Sequence, residues 1–245
     1  MEIGAQFYTL RNFCKNLLDF EESLKRVADI GYKYVQISGT CEYAADWLNE
    51  KLKENGLKCV LTHTSPDKLI ADPKKVCREH TEFGCDYVGL GYYNFEKNTI
   101  DDFCVKFSDT VKAISENGKY FMYHNHDTEF IKIDGKPVIE HLAERFSPET
   151  FGFTLDTFWV QAGGADPAYW LERLSGRVPC IHLKDFSYGR KMAVIGEGNI
   201  NFDRVFEKAE AAGTKWMLVE QDDCNGEDPF ECLKRSYVYL KSKEF

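Results

Sequence analysis

The sequence predicts a closed (β/α)8 barrel, an α/β fold, built as one domain over residues 1–245. Three observations lead there. Eight apolar runs of strand length recur along the chain, segments with apolar residues three and four apart separate them, and glycine or Asp-Pro pairs mark the changes between the two. Eight such units in a chain of 245 residues suit a closed barrel better than an open doubly wound sheet, which needs no eighth strand.

In chain order the strand-like runs are residues 3–8, 34–38, 58–63, 87–90, 120–125, 151–156, 180–183 and 216–220. Between the first two, Phe20, Leu24, Val27 and Ala28 repeat at helical spacing; Leu48 and Leu52 do so before the third. Gly31, Gly56, Gly84, Gly118 and Gly213 each stand where a helix ends and a strand follows, the place for a left-handed terminating residue. Asp72-Pro73, Asp166-Pro167 and Asp228-Pro229 set a capping acid before a proline whose missing N–H costs nothing in the first turn. No Pro-, Gly- or Ser-rich linker divides the chain. After the first strand stands Gly4-Ala5-Gln6-Phe7-Tyr8 instead of a G-x-G-x-x-G turn, which disfavours a dinucleotide site.

Composition narrows the function. A hydrophobic fraction of 43% and a charged fraction of 29% describe an ordinary globular protein. The net charge of -9 argues against nucleic acid, whose phosphates require a basic face, and favours a small ligand. Nine cysteines, odd in number and without C-x-x-C spacing, read as reduced and mostly buried. With no basic-then-apolar leader and no apolar run of spanning length, the expectation is a cytoplasmic protein without membrane contact.

The strand Phe121-Met122-Tyr123 runs into His124-Asn125-His126-Asp127, and three later strands close on Asp156, His182 and Glu220. In a barrel, the strand C-termini form the mouth where chemistry is done. His124, Asp156, His182 and Glu220 are therefore the candidate ligands of one divalent cation. Two carboxylates offset its charge, and two imidazoles favour Mn²⁺, Co²⁺, Zn²⁺ or Fe²⁺ over Mg²⁺. The plainer role for the two acids is a rim ion pair with Lys184 or Arg190. Four of the six histidines (His63, His124, His126, His182) fall at strand ends, while His80 and His141 fall on helices. Alternation along a strand puts His126 on the side of His124, and Lys184 on the side of His182, where an ammonium could stabilise an enediolate or hold a phosphate. Pairing with Asp185 or Glu197 is its structural alternative. Gly196-Glu197-Gly198 occupies the seventh βα loop, where many barrels bind phosphate, and equally describes a surface turn. Tyr8, Tyr92, Phe158 and Trp159 are candidates for a sugar-stacking wall. The expected substrate contacts are His63, Trp159, Lys184 and Glu197.

From Gln6-Phe7-Tyr8-Thr9-Leu10-Arg11, through the 124–130 stretch, Leu155-Asp156-Thr157, His182-Leu183-Lys184-Asp185 and Gly196-Glu197-Gly198, to Val219-Glu220-Gln221-Asp222, the chain resembles the sugar phosphate isomerase/epimerase group of xylose-isomerase-like TIM barrels. The resemblance implies a divalent metal at the mouth, gripped from the last four strands and binding vicinal oxygens of a sugar or sugar phosphate. Asp156, His182 and Glu220 stand where that group places three ligands. The fourth is usually a glutamate, and here His124 takes its place, as in inosose-dehydratase-like members.

The chemistry expected is proton abstraction beside a sugar carbonyl, with Glu220 as base, His126 or His63 as partner acid, and Lys184 beside them. Isomerisation, epimerisation and dehydration share that first step. An endonuclease IV-like phosphodiesterase, a sugar-binding barrel without turnover, and a subunit of a glycoside-cleaving complex are the rival readings; the acidic charge speaks against the first. Barrels of this kind often associate, so a homo-oligomer is a further expectation.

Overall fold

The computed structural model describes all 245 residues. Its eight long strands are β1 (Glu2–Gln6), β2 (Tyr34–Ile37), β3 (Lys58–His63), β4 (Tyr87–Leu90), β5 (Tyr120–His124), β6 (Phe151–Asp156), β7 (Cys180–Leu183) and β8 (Trp216–Val219). All pair in parallel, each with its sequence neighbours, and β8 returns to β1 to close the barrel. Around them lie α1 (Leu17–Ile30), α2 (Ala45–Glu54), α3 (Pro66–Ala71), α4 (Pro73–Glu82), α5 (Ile100–Glu116), α6 (Val138–Arg145), α7 (Thr157–Ala162), α8 (Pro167–Arg173), α9 (Phe202–Ala211) and α10 (Pro229–Ser242). None is long and apolar enough to cross a membrane.

Local chemistry sets these boundaries. Asp72, Asp166 and Asp228 cap α4, α8 and α10 through side-chain oxygens, each ahead of its proline. Thr99 and Asp102 close a reciprocal box at the start of α5. Gly31, Gly56, Gly84, Gly118 and Gly213 all have positive φ, as their positions after helices require.

Several strand ends differ from the sequence expectation. The apolar run 3–8 leaves the sheet after Gln6, because the Gln6 side chain accepts the Tyr8 amide at 2.8 Å and turns Phe7–Phe13 into a 3-10 helix. The fifth strand stops at His124, and Glu220 sits one residue past β8. Two short ribbons, Lys132–Ile133 with Lys136–Pro137 and Asp185–Ser187 with Lys191–Ala193, add to the eight expected strands. All nine cysteines are unpaired and six are buried.

The main core lies between the barrel wall and its helices. Phe103 and Phe107 of α5 meet Phe121, Tyr123 and Phe151 there, and Phe146 stacks on Phe151 at 4.5 Å. A second cluster fills the barrel interior. Leu61, Met122, Cys180 and Leu218 pack with Val60, each two residues before a mouth residue: His63, His124, His182 and Glu220. Because side chains alternate along a strand, one inward row plugs the barrel and the next forms its floor.

His80 of α4 is buried, with Nδ1 against the Val76 carbonyl and Nε2 against the Thr62 hydroxyl, both at 2.8 Å. Burial pushes it down to about 4. The unfolded chain therefore binds the proton more readily between that value and about 6.5, so stability falls as pH drops through this window and levels off below it. Roughly 3 kcal/mol of acid destabilisation is expected from this residue. Urea titrations at pH 7.5 and 4.5 should show a smaller loss in His80→Gln than in the parent; an equal loss would assign the acid sensitivity to other groups.

Candidate metal centre at the barrel mouth

Every strand delivers something to the mouth: Gln6, Gln36, His63, His124, Asp156, His182 and Glu220 from seven of them, and the Gly91 carbonyl from the turn after β4. His124, Asp156, His182 and Glu220 are 4%, 0%, 0% and 3% exposed. One ligating atom from each lies within 4.8 Å of all the others.

Each of the four spends one polar atom on the protein and turns the other inward. His124 donates from Nδ1 to the Gly91 carbonyl at 3.0 Å, leaving Nε2 toward Asp156 Oδ2 at 3.2 Å. Asp156 uses Oδ1 to cap α7, accepting the Trp159 amide at 2.9 Å. His182 donates from Nε2 to Gln36 Oε1 at 2.6 Å, so its Nδ1 faces Glu220 Oε2 at 2.9 Å and Asp156 Oδ2 at 3.7 Å. Glu220 Oε1 accepts from Gln6 at 3.0 Å. His182 Nδ1 and Glu220 Oε2 are buried without an aligned hydrogen bond to any group. Inward-facing atoms of two carboxylates and two imidazoles, each oriented by a second partner, make a donor set that could hold a divalent transition metal.

Lys184 completes the charge balance. Its ammonium lies 3.4 Å from Asp156 Oδ2, 3.2 Å from Glu220 Oε2 and 2.7 Å from Asp222 Oδ2, and the residue is 1% exposed. Burial disfavours the cation, but Asp156, Glu220 and Asp222 outweigh it and raise Lys184 above its ordinary range. Burial also disfavours a charged His182, yet Glu220 and Asp156 hold it up at about 9. For Asp156 and Glu220 burial pushes upward, and Lys184 with the imidazoles reverses this, keeping both carboxyls well below the usual range. The two buried carboxylates thus gather positive charge around them.

The profile of the xylose isomerase-like TIM barrel family matches residues 24–237. The chain belongs to that family. It is 26% identical over 152 residues to inosose dehydratase of Bacillus cereus, a match covering 54% of this chain and 50% of that protein, so the chain spans about half the length of these relatives. To inosose dehydratase of Mesomycoplasma hyopneumoniae it is 24% identical, covering 92% and 89% of the two chains. A sugar phosphate isomerase/epimerase from Parabacteroides distasonis superposes with a TM-score of 0.84 at 24% identity, over 98% of this chain and 93% of that one. An L-ribulose 3-epimerase superposes at 0.77 with 13% identity, over 99% and 94%. At such identities the likeness is one of fold.

The remaining sequence-predicted residues of this xylose isomerase-like barrel divide into two groups. His126 lies beside the cluster, its ring 4.8 Å from His124 and 5.0 Å from both Trp159 and Tyr92. Burial, then His124, pushes it down to about 3, so it is neutral. His63 packs 5.2 Å from His124 and 5.6 Å from His182 and is likewise held well down by burial. Trp159 faces Lys184 at 5.4 Å with its indole N–H unpartnered. Glu197, in contrast, is exposed and bound to Arg235 of α10 at 2.9 Å, with no hydrogen bond to the cluster. Phe158 is core, and Tyr8 lies exposed beneath Arg11. Of the ion-pair alternatives, Arg190 goes to Asp127 and Lys184 takes neither Asp185 nor Glu197, whereas the pairing of Asp156 and Glu220 with Lys184 is present, buried in the mouth instead of exposed at its rim.

Sequence reasoning missed Gln6, Gln36, Asn125 and Asp222. The first two orient Glu220 and His182, Asn125 Oδ1 accepts the Asp156 amide at 3.0 Å, and Asp222 seats Lys184. The signal available was a polar residue in or closing an apolar strand: Gln6 ends β1, and Gln36 interrupts the apolar run of β2 one residue before its end.

Elemental analysis should find about one divalent ion per chain in the parent and none in Asp156→Asn. Gln36→Leu, which leaves His182 unoriented, should weaken metal binding about 10–100-fold. An ion content indifferent to Asp156→Asn would move the metal elsewhere.

Proposed function

We propose that this chain is a metal-dependent isomerase or epimerase that withdraws the proton beside the carbonyl of a keto sugar. The observation that carries the reading is the convergence of four inward-facing ligand atoms with a buried ammonium at the mouth of a sugar-processing barrel. When bound, a divalent cation polarises the carbonyl and steadies the negative charge that develops as the proton leaves.

The protein's own groups divide the remaining work. Glu220, held through Oε1 by Gln6, is the base that takes the proton. Lys184, 3.2 Å from Glu220 Oε2, supplies a fixed positive charge and a donor to the same oxygens. Trp159, Tyr92 and His126 form one apolar-to-polar wall against which the carbon skeleton rests, and His63 bounds the other side. Returning the proton to the neighbouring carbon, while the hydroxyl proton passes to the former carbonyl oxygen, isomerises the sugar; delivering a proton from water or an acid on the opposite face to the same carbon epimerises it.

β-Elimination of water from a keto polyol is a second reading. It is favoured by the imidazole of His124 at the end of β5 and by the inosose dehydratases among the sequence relatives. Both readings begin with the same proton.

Deuterium exchange from D2O into keto sugars and inososes tests that step. The metal-loaded protein should exchange the proton next to the carbonyl, and Glu220→Gln should slow exchange about 10²–10⁴-fold. Full exchange in Glu220→Gln would remove Glu220 as the base, whereas no exchange by the parent on any compound would remove proton abstraction altogether.

A further inference from the structure

We infer that the substrate is an unphosphorylated keto sugar or keto polyol whose hydroxylated tail lies in the cavity beside His63, an inference that rests on the proton-abstraction reading above. Two separate features of the mouth support it.

The first is the loop after β7. Barrels often hold a phosphate there on backbone N–H groups. Here the Asp185 carboxylate already accepts the amides of Gly196 at 3.0 Å, Gly198 at 2.9 Å and Ile200 at 3.2 Å, as well as that of Phe186 at 2.8 Å. The approach is so close that a Cβ on Gly198 would stand 2.4 Å from Asp185 Oδ1. A carboxylate of the chain itself occupies the anion's seat, and a phosphate would meet both its charge and spent donors.

The second is a cavity of about 570 Å³ between the loops that follow β2 and β3. His63 lines it and also packs against His124 and His182, so the cavity adjoins the metal centre. Hydroxyls of Ser38, Thr40, Thr64 and Ser65 line its walls. Ser38 Oγ meets His63 Nδ1 at 3.2 Å and Thr64 Oγ1 meets Thr62 Oγ1 at 3.1 Å, leaving each hydroxyl further hydrogen-bonding capacity. His63 Nε2 is buried and has no partner within the chain. The charged lining comprises two lysines, Lys68 and Lys75, against three acids, Glu42, Asp72 and Glu79. Two minus three leaves a net charge of -1 among the lining residues; the lysines are paired with Glu42 and Glu79, and the third acid, Asp72, faces Arg78 at 3.8 Å. Such a surface offers hydroxyl-matching groups and no unpaired cation to balance a dianion.

The test compares L-ribulose, D-tagatose and inosose with their monophosphates, using the metal-loaded protein and both deuterium exchange and kcat/KM. Free compounds should be preferred by at least about tenfold. Glu79→Lys, which turns the lining's charge from two minus three to three minus two, should narrow that preference. Thr64→Val should raise KM several-fold while kcat stays within about twofold. Preference for a phosphate ester, or a preference unmoved by Glu79→Lys together with an unchanged KM in Thr64→Val, would overturn the inference and leave proton abstraction standing. Exchange on none of the compounds would overturn both.

Discussion

Asp156 and Glu220 are two carboxylates shut away from water a few ångströms apart, and the mouth of the barrel is arranged around that fact. Buried charge of one sign costs several kcal/mol per ion unless an opposite charge is brought to it. Lys184 answers from β7's end, reaching both acids while anchored to Asp222. The same oxygens face His124 and His182, so the place that draws the ammonium is also the one suited to a divalent cation.

Holding such a cluster in one geometry demands a rigid frame. The barrel supplies it by alternation: the inward row of Leu61, Met122, Cys180 and Leu218 fills the interior, and the next inward row becomes the floor of the site. Hydrogen bonds to the Gly91 carbonyl and Gln36 Oε1, and from Gln6 and the α7 amide, then fix the rotation of each ring and carboxylate. This second layer sets which nitrogen and which oxygen faces inward, and with it the site's chemistry.

Much of this was legible in the sequence because it depends on short-range pattern. The four ligand positions each end an apolar run, and period-two alternation placed His126 with His124 and Lys184 with His182. Long-range partners were not legible. Gln36 meets His182 across 146 positions and Gln6 meets Glu220 across 214, distances at which spacing carries no information. Glu197 looked like a mouth residue from its glycine neighbours, yet its partner Arg235 lies on α10. For Lys184 the pairing with Asp185 could have been set aside beforehand, since adjacent strand residues point to opposite faces. Asp185 accordingly turns outward and closes the loop at Gly196 and Gly198.

The most direct test is anomalous diffraction from crystals grown with MnCl2. A single strong peak is expected, enclosed by His124 Nε2, Asp156 Oδ2, His182 Nδ1 and Glu220 Oε2, with Lys184 drawn toward Asp222. A peak elsewhere, or none while Lys184 remains seated on both carboxylates, would contradict a metal centre at this cluster.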